Sequence, residues 1–253
     1  MHLDTVREPA IRRRDLHANL IEHAYADSAT LARALALAVA CDLRDAILTR
    51  GIGLLAVSGG STPRQFLREL GRLRLDWSRV VVTLVDERWA APDEARSNAR
   101  LLRETLFSGP AAAARFEPLF EPARDPAAAL LRIARRIDAL PLPFDVVVLG
   151  MGSDGHTASL FPGGDTLAQA LDPHGRDRVL ALNAPGAQEP RVTLTLPTLL
   201  ATAALYLHIE GQEKRSVLAR ALAPQTRSED MPIRAVVKCA GEPLRMYWCS
   251  GER

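Results

Sequence analysis

Residues 144–162 are FDVVVLGMGSDGHTASLFP, an apolar run that passes directly into a loop rich in glycine and polar side chains. The run Phe144–Leu149 is the most apolar strand candidate in the chain. A mostly apolar strand of this kind, in which Asp145 is the only polar residue, is typical of a parallel sheet that is covered on both faces. In an open parallel sheet, ligands bind beyond the carboxyl ends of the strands. The loop that follows residue 149 is therefore a candidate ligand-binding position.

The remainder of the chain alternates between β-branched apolar runs and Ala/Leu/Arg stretches of helical period. This alternation predicts βαβ units and a mostly parallel sheet in one three-layer α/β/α domain over 1–253, with 1–27 as its N-terminal segment. The predicted helices are 29–49, 63–71, 97–107, 125–140 and 212–223. The predicted strands are 51–57, 80–85, 116–119, 144–149, 178–182, 191–196, 203–209, 235–238 and 245–248.

Composition excludes several classes of protein. The 253 residues include 32 basic and 30 acidic side chains, a net charge of +2, whereas dedicated nucleic-acid binders carry a basic excess. Three cysteines without a CxxC pair fit a reducing, cytoplasmic compartment and provide no zinc spacing. No apolar stretch approaches the roughly 20 residues of a membrane span, and residues 1–15 lack a secretory signal. We therefore expect no nucleic-acid or membrane partner.

A second glycine loop, VSGGSTP at 57–63, lies between a predicted strand and a predicted helix. Paired glycines let a ligand approach the backbone, and N–H groups at a helix start suit a phosphate or carboxylate, as do the hydroxyls of Ser61 and Thr62. The loop is not a Walker A motif because no Gly-Lys-Ser/Thr follows. An ordinary capped turn and a degenerate nucleophile elbow centred on Ser58 are the alternative interpretations.

A third polar segment, DERW at 86–89, ends the strand predicted at 80–85, and Ser97-Asn98 stand at the start of the next helix. Two carboxylates beside an arginine at the carboxyl end of a strand suit acid–base chemistry or substrate orientation. A surface ion pair in a loop is the alternative interpretation of the same residues.

The loop after residue 149 contains the histidine that we favour as functional. Asp154 precedes His156 by two residues, which is close enough to orient the imidazole, and Gly150, Gly152 and Gly155 permit a pocket lined by backbone. A structural histidine is the alternative. No second His or Cys stands at a ligand spacing, so the pattern does not predict a metal site.

Together and in this order, the three loops resemble those of the 6-phosphogluconolactonase family, which shares a superfamily with glucosamine-6-phosphate isomerase/deaminase. The resemblance spans about residues 30–248, and its most specific part is DGHTASLFP. It implies a Rossmann-like α/β/α domain, in agreement with the pattern of strands and helices. The matching stretches are VSGGSTP (57–63), VDERW (85–89), SN (97–98), LGMGSDGHTASLFPG (149–163), PRVTLTLP (190–197) and Gly211-x-x-Lys214.

The resemblance implies hydrolysis of 6-phospho-D-glucono-1,5-lactone to 6-phospho-D-gluconate, the second step of the oxidative pentose phosphate pathway, without a metal or organic cofactor. A lactone is an activated ester, so one general base acting on water suffices. We expect His156 to be that base, oriented by Asp154. Asp86 matches the aspartate that moves a proton at carbon in the isomerase branch, and here we assign it to hydroxyl binding or orientation.

The substrate phosphate is expected on the glycine loop, with Lys214 as a point charge and Arg88 and Arg191 as further phosphate or carbonyl contacts. The oxyanion donor is not identifiable from the sequence, although the N–H groups at 150–152 are candidates. The expected partner is a small phosphorylated sugar lactone, bound by a monomer or a dimer. The residues assigned to substrate or phosphate binding are Ser58, Gly59, Gly60, Ser61, Arg88, Arg191 and Lys214.

Two features separate this chain from its neighbours in the superfamily. The loop NAPGAQE at 183–189 lacks the lysine that lactonases often carry there, so any contact made by that lysine is missing or replaced. In the isomerase branch a glutamate follows the histidine shortly, whereas here no carboxylate occurs between His156 and Asp165, which disfavours isomerisation. A non-catalytic sugar-phosphate sensor is the third hypothesis, but it would leave the His156–Asp154 pair without a use.

Overall fold

A seven-stranded, fully parallel sheet forms the centre of the computed structural model, which describes residues 16–251. Residues 1–15, the larger part of the predicted N-terminal segment, and residues 252–253 lie outside the described residues. The strands in sheet order are β1 (Leu20–Tyr25), β10 (Leu244–Cys249), β9 (Thr202–Glu210), β6 (Phe144–Leu149), β2 (Gly53–Val57), β3 (Val80–Leu84) and β5 (Arg115–Glu117). A smaller antiparallel sheet contains β4 (Asp86–Arg88), β8 (Arg191–Leu194) and β7 (Val179–Leu182).

Helices cover both faces of the large sheet. The helices are α1 (Ser28–Arg50), α2 (Arg64–Arg72), α3 (Asn98–Glu104), α4 (Pro126–Asp138), α5 (Leu167–Ala170), α6 (Leu196–Leu200), α7 (Gln212–Leu222) and α8 (Ile233–Cys239). The chain moves toward one edge of the sheet up to β5 and then returns through β6, β9 and β10 toward the other. Because crossovers between parallel strands are right-handed, this reversal places α1–α3 on one face and α4 and α6–α8 on the other.

The core forms because apolar side chains recur at the helical period on α1 and fill both faces of the central strands. Asp27 caps α1 by accepting the Thr30 N–H at 2.7 Å, and Leu31, Leu35 and Leu43 are fully buried along one side of the helix. All six residues of β6 are buried. Burial of each large aliphatic side chain contributes about 1.5–3 kcal/mol relative to its exposure. The three-layer α/β/α fold predicted from the sequence is thus confirmed.

The reversal of direction creates a crevice between β2 and β6, which are neighbours in the sheet but lead to helices on opposite faces. Open α/β sheets bind ligands at this kind of switch point. Here the two strand ends are tied together, since Ser58 N–H donates to the Val148 carbonyl and Gly150 N–H donates to Ser58 Oγ, both at 2.9 Å. Two of the predicted loops therefore begin side by side.

The strand predicted at 235–238 is wrong, because these residues belong to α8. Ala235, Val236 and Val237 are buried in a helix that packs against α6 and α7. Next to them, the Arg234 guanidinium donates to the Ala221 and Ala223 carbonyls at 2.8 Å. Packing and these bonds to the end of α7 outweigh the β-propensity of two adjacent valines. The elements that the sequence analysis missed are β1, β4, α5, α6 and α8.

Three further observations concern the cysteines, the apolarity of the helices and the two lysines. Cys41 and Cys239 are exposed and Cys249 is buried, and all three are free thiols. Over residues 16–251, no helix has both the length and the apolarity needed to cross a bilayer. Lys238 is exposed on α8, and Lys214 stands in the first turn of α7.

Candidate active site

A cleft of about 260 Å³ opens at the carboxyl ends of β2 and β6. All three predicted loops contribute to its walls, together with the end of β9 and the start of α7. Asp154 and Arg191 do not line the cleft: Asp154 is exposed beside His156, and Arg191 is buried. The predicted site residues that line the cleft are Ser58, Gly59, Gly60, Ser61, Asp86, Arg88, His156 and Lys214.

His156 and Asp154 form a hydrogen-bonded pair in the loop after β6. His156 Nδ1 lies 2.5 Å from Asp154 Oδ1, and the same oxygen accepts the His156 N–H at 3.1 Å. The imidazole stacks on the Phe161 ring with 4.0 Å between ring centroids. Only glycine fits at position 152, because a Cβ there would lie 2.1 Å from His156 Nδ1. These contacts hold the imidazole in one orientation.

The charge of Asp154 decides which ring nitrogen of His156 carries the hydrogen and which one is left as a base. Burial raises the pKa of Asp154, but the hydrogen bond and the charge of His156 outweigh burial and leave that pKa below its ordinary value. An ionised carboxylate only accepts hydrogen bonds, so the proton of a neutral His156 resides on Nδ1. Nε2 then carries a lone pair and is able to accept a proton.

Asp86 lies where β4 meets the loop after β6. Ser159 Oγ donates to Asp86 Oδ2 at 2.6 Å, and the Ser159 N–H donates to Thr193 Oγ1 at 3.2 Å. The preceding residue, Ala158, has a left-handed backbone with φ +48°, the only such non-glycine residue among those described. This turn brings Ser159 against Asp86 and leaves the aspartate on the wall of the cleft.

Glu87, the second carboxylate of DERW, has a structural rather than a chemical position. It is 1% exposed and accepts hydrogen bonds at the start of α3. Burial raises its pKa, and the N–H groups that it accepts work against that rise. Its donors are the N–H groups of Arg88, Asn98 and Ala99, each at 2.8 Å, and Ser97 Oγ at 3.2 Å. The structure therefore places Asp86, but not Glu87, where it can meet a ligand.

The glycine loop at 58–62 has free backbone donors. Within residues 16–251, the N–H groups of Gly59, Gly60 and Ser61 have no protein acceptor. Gly59 allows the loop to contact Asn98, since a Cβ on Gly59 would lie 1.9 Å from Asn98 Oδ1. Lys214 lines the same cleft. Converging N–H groups beside an ammonium group are well suited to an anion.

The position of Ser58 does not favour the nucleophile-elbow interpretation. Its hydroxyl oxygen accepts the Gly150 N–H at 2.9 Å, and its backbone lies outside the left-handed region. A nucleophile elbow places its serine on a strained turn. Here Ser58 joins two loops instead.

The two arginines of the predicted site differ in their placement. Arg88 lines the cleft and donates from Nη1 to the Arg96 carbonyl at 2.8 Å, while its buried Nε has no partner in the described part of the chain. Arg191 is buried behind the wall, with Glu189 Oε1 at 3.6 Å and the Phe161 ring centroid at 5.7 Å. Burial lowers the pKa of Arg191, against the charge of Asp86. The structure thus separates Arg191 from the surface of the cleft.

The loop that lacks the expected lysine carries a carboxylate held by arginines. Glu189 pairs with Arg191 and with Arg96, which reaches over from the segment before α3. Arg96 therefore stands against this loop as a cation, although neither residue lines the cleft.

Two of the three N–H groups that were candidates for oxyanion binding are already engaged. Gly150 N–H donates to Ser58 Oγ and Gly152 N–H donates to the His156 carbonyl, both at 2.9 Å. The expectation for these two groups was wrong, because loop closure uses them. Met151 N–H has no acceptor within residues 16–251, and Met151 lines the cleft.

Sequence reasoning missed His208 and Glu210, which line the cleft at the end of β9. His208 falls in the strand predicted at 203–209 and Glu210 directly after it, and polar side chains at alternate positions of a strand are usually read as solvent-facing. The available signal was their position just before Gly211 and Lys214.

In the described part of the chain, no group of three or more His, Cys, Asp or Glu side chains is placed to hold a metal ion.

Comparisons with known proteins place this geometry in context. The family described as glucosamine-6-phosphate isomerases/6-phosphogluconolactonase matches residues 26–248. The 6-phosphogluconolactonase of Rhizobium meliloti (strain 1021) is 50% identical over 226 residues, covering 89% of this chain and 97% of that protein. The 6-phosphogluconolactonase of Pseudomonas aeruginosa is 44% identical, covering 88% and 92%. A crystal structure of a 6-phosphogluconolactonase from Shewanella baltica OS155 has a TM-score of 0.88 at 37% identity, covering 91% of this chain and 97% of that one.

Proposed function

The chain belongs to the family of glucosamine-6-phosphate isomerases and 6-phosphogluconolactonases, and we propose that it is a lactonase that hydrolyses 6-phospho-D-glucono-1,5-lactone to 6-phospho-D-gluconate. Its most similar relatives reported above carry the name 6-phosphogluconolactonase. The observation that carries the proposal is the His156–Asp154 pair, whose geometry leaves a basic nitrogen at the cleft. The proposed hydrolysis is the second step of the oxidative pentose phosphate pathway.

The reaction needs one proton acceptor that later becomes a donor. His156 Nε2 takes a proton from water, and the water oxygen forms a bond to the lactone carbonyl carbon. When the tetrahedral intermediate collapses, the bond from that carbon to the ring oxygen breaks, and the imidazolium returns the proton to the ring oxygen. The carboxylic acid product then loses its own proton to water. Asp154 stabilises the imidazolium between the two transfers.

The remaining residues hold the substrate in place. The free N–H groups of Gly59, Gly60 and Ser61 and the charge of Lys214 bind the phosphate, and Asp86 accepts a hydrogen bond from a sugar hydroxyl. Met151 N–H is the loop donor that remains for the developing oxyanion. We retain Arg88 as a contact for the phosphate or the carbonyl group, because it lines the cleft. Arg191 is buried behind the wall, so we propose that its charge acts on the substrate without direct contact.

The isomerase alternative is disfavoured by the residues around the histidine. No carboxylate lies between His156 and Asp165. Asp165 is committed to Asn183, whose backbone and side-chain N–H groups it accepts at 2.9 Å, and it does not line the cleft. A sensor without catalysis would leave the oriented imidazole without a purpose. We therefore keep hydrolysis as the proposal.

The proposal extends to setting and partners. The partner is a small phosphorylated sugar lactone, and no nucleic acid or membrane takes part. We propose one domain over the whole chain, a cytoplasmic location and a monomeric or dimeric state. Free thiols at all three cysteines support the reducing compartment.

A coupled assay with freshly generated 6-phosphogluconolactone tests the function. The wild type should exceed spontaneous hydrolysis, and His156→Ala should reduce kcat by about 10²–10⁴-fold while the protein still binds 6-phosphogluconate. His174→Ala, at an exposed loop histidine, is the control. Release of ammonia from glucosamine 6-phosphate would overturn the lactonase assignment, and unchanged turnover of His156→Ala would remove this residue from the mechanism.

A further inference from the structure

A chain of three polar side chains runs along the end of β9, beside the proposed phosphate position. His208 Nε2 lies 2.9 Å from Glu210 Oε1, and Ser28 Oγ donates to Glu210 Oε2 at 2.6 Å. His208 is 3% exposed, and the Phe66 ring meets it edge-on with 6.1 Å between centroids. Both oxygens of Glu210 are therefore occupied, and the imidazole is held in one orientation.

The protonation of this chain leaves one ring nitrogen without a partner. The hydrogen bond from His208 lowers the pKa of Glu210, and burial opposes that effect without reversing it. Since the ionised Glu210 only accepts, His208 Nε2 carries a hydrogen. Nδ1 is enclosed and has no hydrogen-bond partner within residues 16–251. Buried polar atoms of proteins are nearly always paired, so the unpaired Nδ1 of this cleft-lining histidine is available to a partner from outside the chain.

The location of His208 identifies the part of the ligand it would meet. In the β6–β9 register Leu149 stands opposite Leu207, so His208 follows at the level of Gly150, at the carboxyl edge of the sheet. His208 and Glu210 share the cleft with Ser61, and Lys214 follows Glu210 by four residues. This is the end of the cleft to which the phosphate is assigned.

We propose that His208 is a further phosphate-binding residue, which donates from Nδ1 to a phosphate oxygen in its imidazolium form while Glu210 and Ser28 hold the ring. This inference rests on the proposed lactonase function, which places the phosphate here. The imidazolium also cancels the negative charge of Glu210, which would otherwise repel the phosphate. The other charged or titratable groups that line the cleft and the adjoining groove are Lys214 on α7, Arg64, Arg68, Glu69 and Arg72 on α2, and Asp86, Arg88 and His156 across the cleft.

Two isosteric variants separate the two nitrogens. His208→Gln keeps a donor near the position of Nε2 but loses Nδ1, whereas His208→Asn keeps a donor near the position of Nδ1 and loses the contact with Glu210. We expect His208→Gln to lower the ratio of kcat/KM for 6-phosphogluconolactone to kcat/KM for glucono-1,5-lactone about tenfold, which is the effect of one hydrogen bond to a charged group. His208→Asn should recover part of that ratio. His174→Gln is the control at an exposed histidine.

An equal loss for both lactones, or no loss for either, would overturn the proposal, because a merely structural histidine does not distinguish a phosphate. Wild-type protein labelled with ¹⁵N-histidine provides a measurement that does not depend on the folding of a variant. Addition of 6-phosphogluconate should bring one buried histidine to the doubly protonated state, and a ring that stays neutral in the complex would contradict the inference. This titration needs no turnover, so it decides the role of His208 even where wild-type lactonase activity is absent.

Discussion

Ser159 Oγ donates a 2.6 Å hydrogen bond to Asp86 Oδ2, and this bond joins the loop after β6 to the strand β4. Ser159 is fully buried and Asp86 is 8% exposed. A buried carboxylate keeps one orientation only while its oxygens have donors. The hydroxyl of Ser159 therefore determines how Asp86 faces the cleft.

Ser159→Ala removes this donor and almost conserves the volume of the side chain. Loss of a hydrogen bond to a charged group costs about 1.5–3 kcal/mol, so the free energy of unfolding should fall by that amount and kcat/KM by about tenfold or more. Urea denaturation and the lactonase assay measure the two effects. Ser216→Ala is the matched control, because Ser216 Oγ bonds only the Gln212 carbonyl on an exposed face of α7. Equal losses in the two variants would contradict a special role for Ser159.

Asp154→Asn tests the orientation of the His156 imidazole, which we propose as the general base. An amide both donates and accepts, so His156 is free to adopt the tautomer in which Nε2 carries the hydrogen and is unable to accept one from water. We expect kcat to fall by about 10²–10⁴-fold with the fold retained. Asp172→Asn is a close control, since Asp172 likewise accepts the N–H of a histidine two residues later, His174, at 2.9 Å, but away from the cleft. A normal kcat in Asp154→Asn would exclude the proposed orientation.

The same pair predicts a dependence of stability on pH. The pKa of Asp154 is below its ordinary value, so the folded state binds this proton more weakly than the unfolded state does. Its stabilising contribution is thus complete above the unfolded pKa, about 3.9, and is lost as pH falls through the lower folded pKa. The difference in unfolding free energy between the wild type and Asp154→Asn should therefore shrink from about pH 6 to about pH 3. A difference that grows on acidification would show that the direction is wrong.

Lys214 and Lys238, the only two lysines, allow a matched test of the proposed phosphate position, because Lys214 lines the cleft and Lys238 does not. Lys214→Gln removes a cation from the wall of the cleft, so KM for 6-phosphogluconolactone should rise about tenfold or more, with a smaller change for the unphosphorylated lactone. Lys238→Gln, on the exposed side of α8, should leave both constants within twofold of the wild type, which corresponds to about 0.5 kcal/mol. A similar KM in Lys214→Gln and the wild type would place the phosphate elsewhere.

The sequence was sufficient to predict a helix or strand where the local pattern of side chains agrees with the packing in the folded protein. Strand β6 was predicted with its observed bounds because a run in which Asp145 is the only polar residue is most stable at the centre of the sheet, where Arg50 and the Leu54 N–H pair with that carboxylate. Helix α1 agreed within a residue because Asp27 caps it and Gly51 ends it in the left-handed region. The position of the loops at residues 58 and 150 at one edge of the sheet followed from the parallel pattern, whereas their adjacency depends on the strand order that the structure shows.

The failures arise where distant residues decide the local structure. The valines of α8 favour a strand locally, yet they are held in a helix by packing against α6 and α7. Strand β4 is a charged triplet, and it pairs with β8 while Glu87 finds three donors at the start of α3 and a fourth in the Arg88 N–H. His208 was not identified as a site residue, since only the tertiary structure brings Phe66 and Ser28 around the end of β9.

Gly59 allows a close contact between the glycine loop at 58–62 and Asn98. A Cβ on Gly59 would lie 1.9 Å from Asn98 Oδ1, while Asn98 Nδ2 donates to the Asp86 carbonyl at 2.9 Å. Gly59→Ala should therefore displace Asn98, reduce stability by about 1–3 kcal/mol and raise KM. Gly241→Ala is the control, because a Cβ there meets open space. Urea denaturation and the lactonase assay measure both variants.

A double variant shows whether the contact itself is the cause. In Gly59→Ala/Asn98→Ala the added methyl group no longer meets the amide, so the double variant should be more stable than the sum of the two single losses predicts, by about 1 kcal/mol or more. Activity should recover less than stability, because the donor to the Asp86 carbonyl is still missing. Additive losses of unfolding free energy would mean that Gly59 acts through backbone conformation alone. They would contradict the inferred steric contact by which the glycine loop at 58–62 affects Asp86 through Asn98.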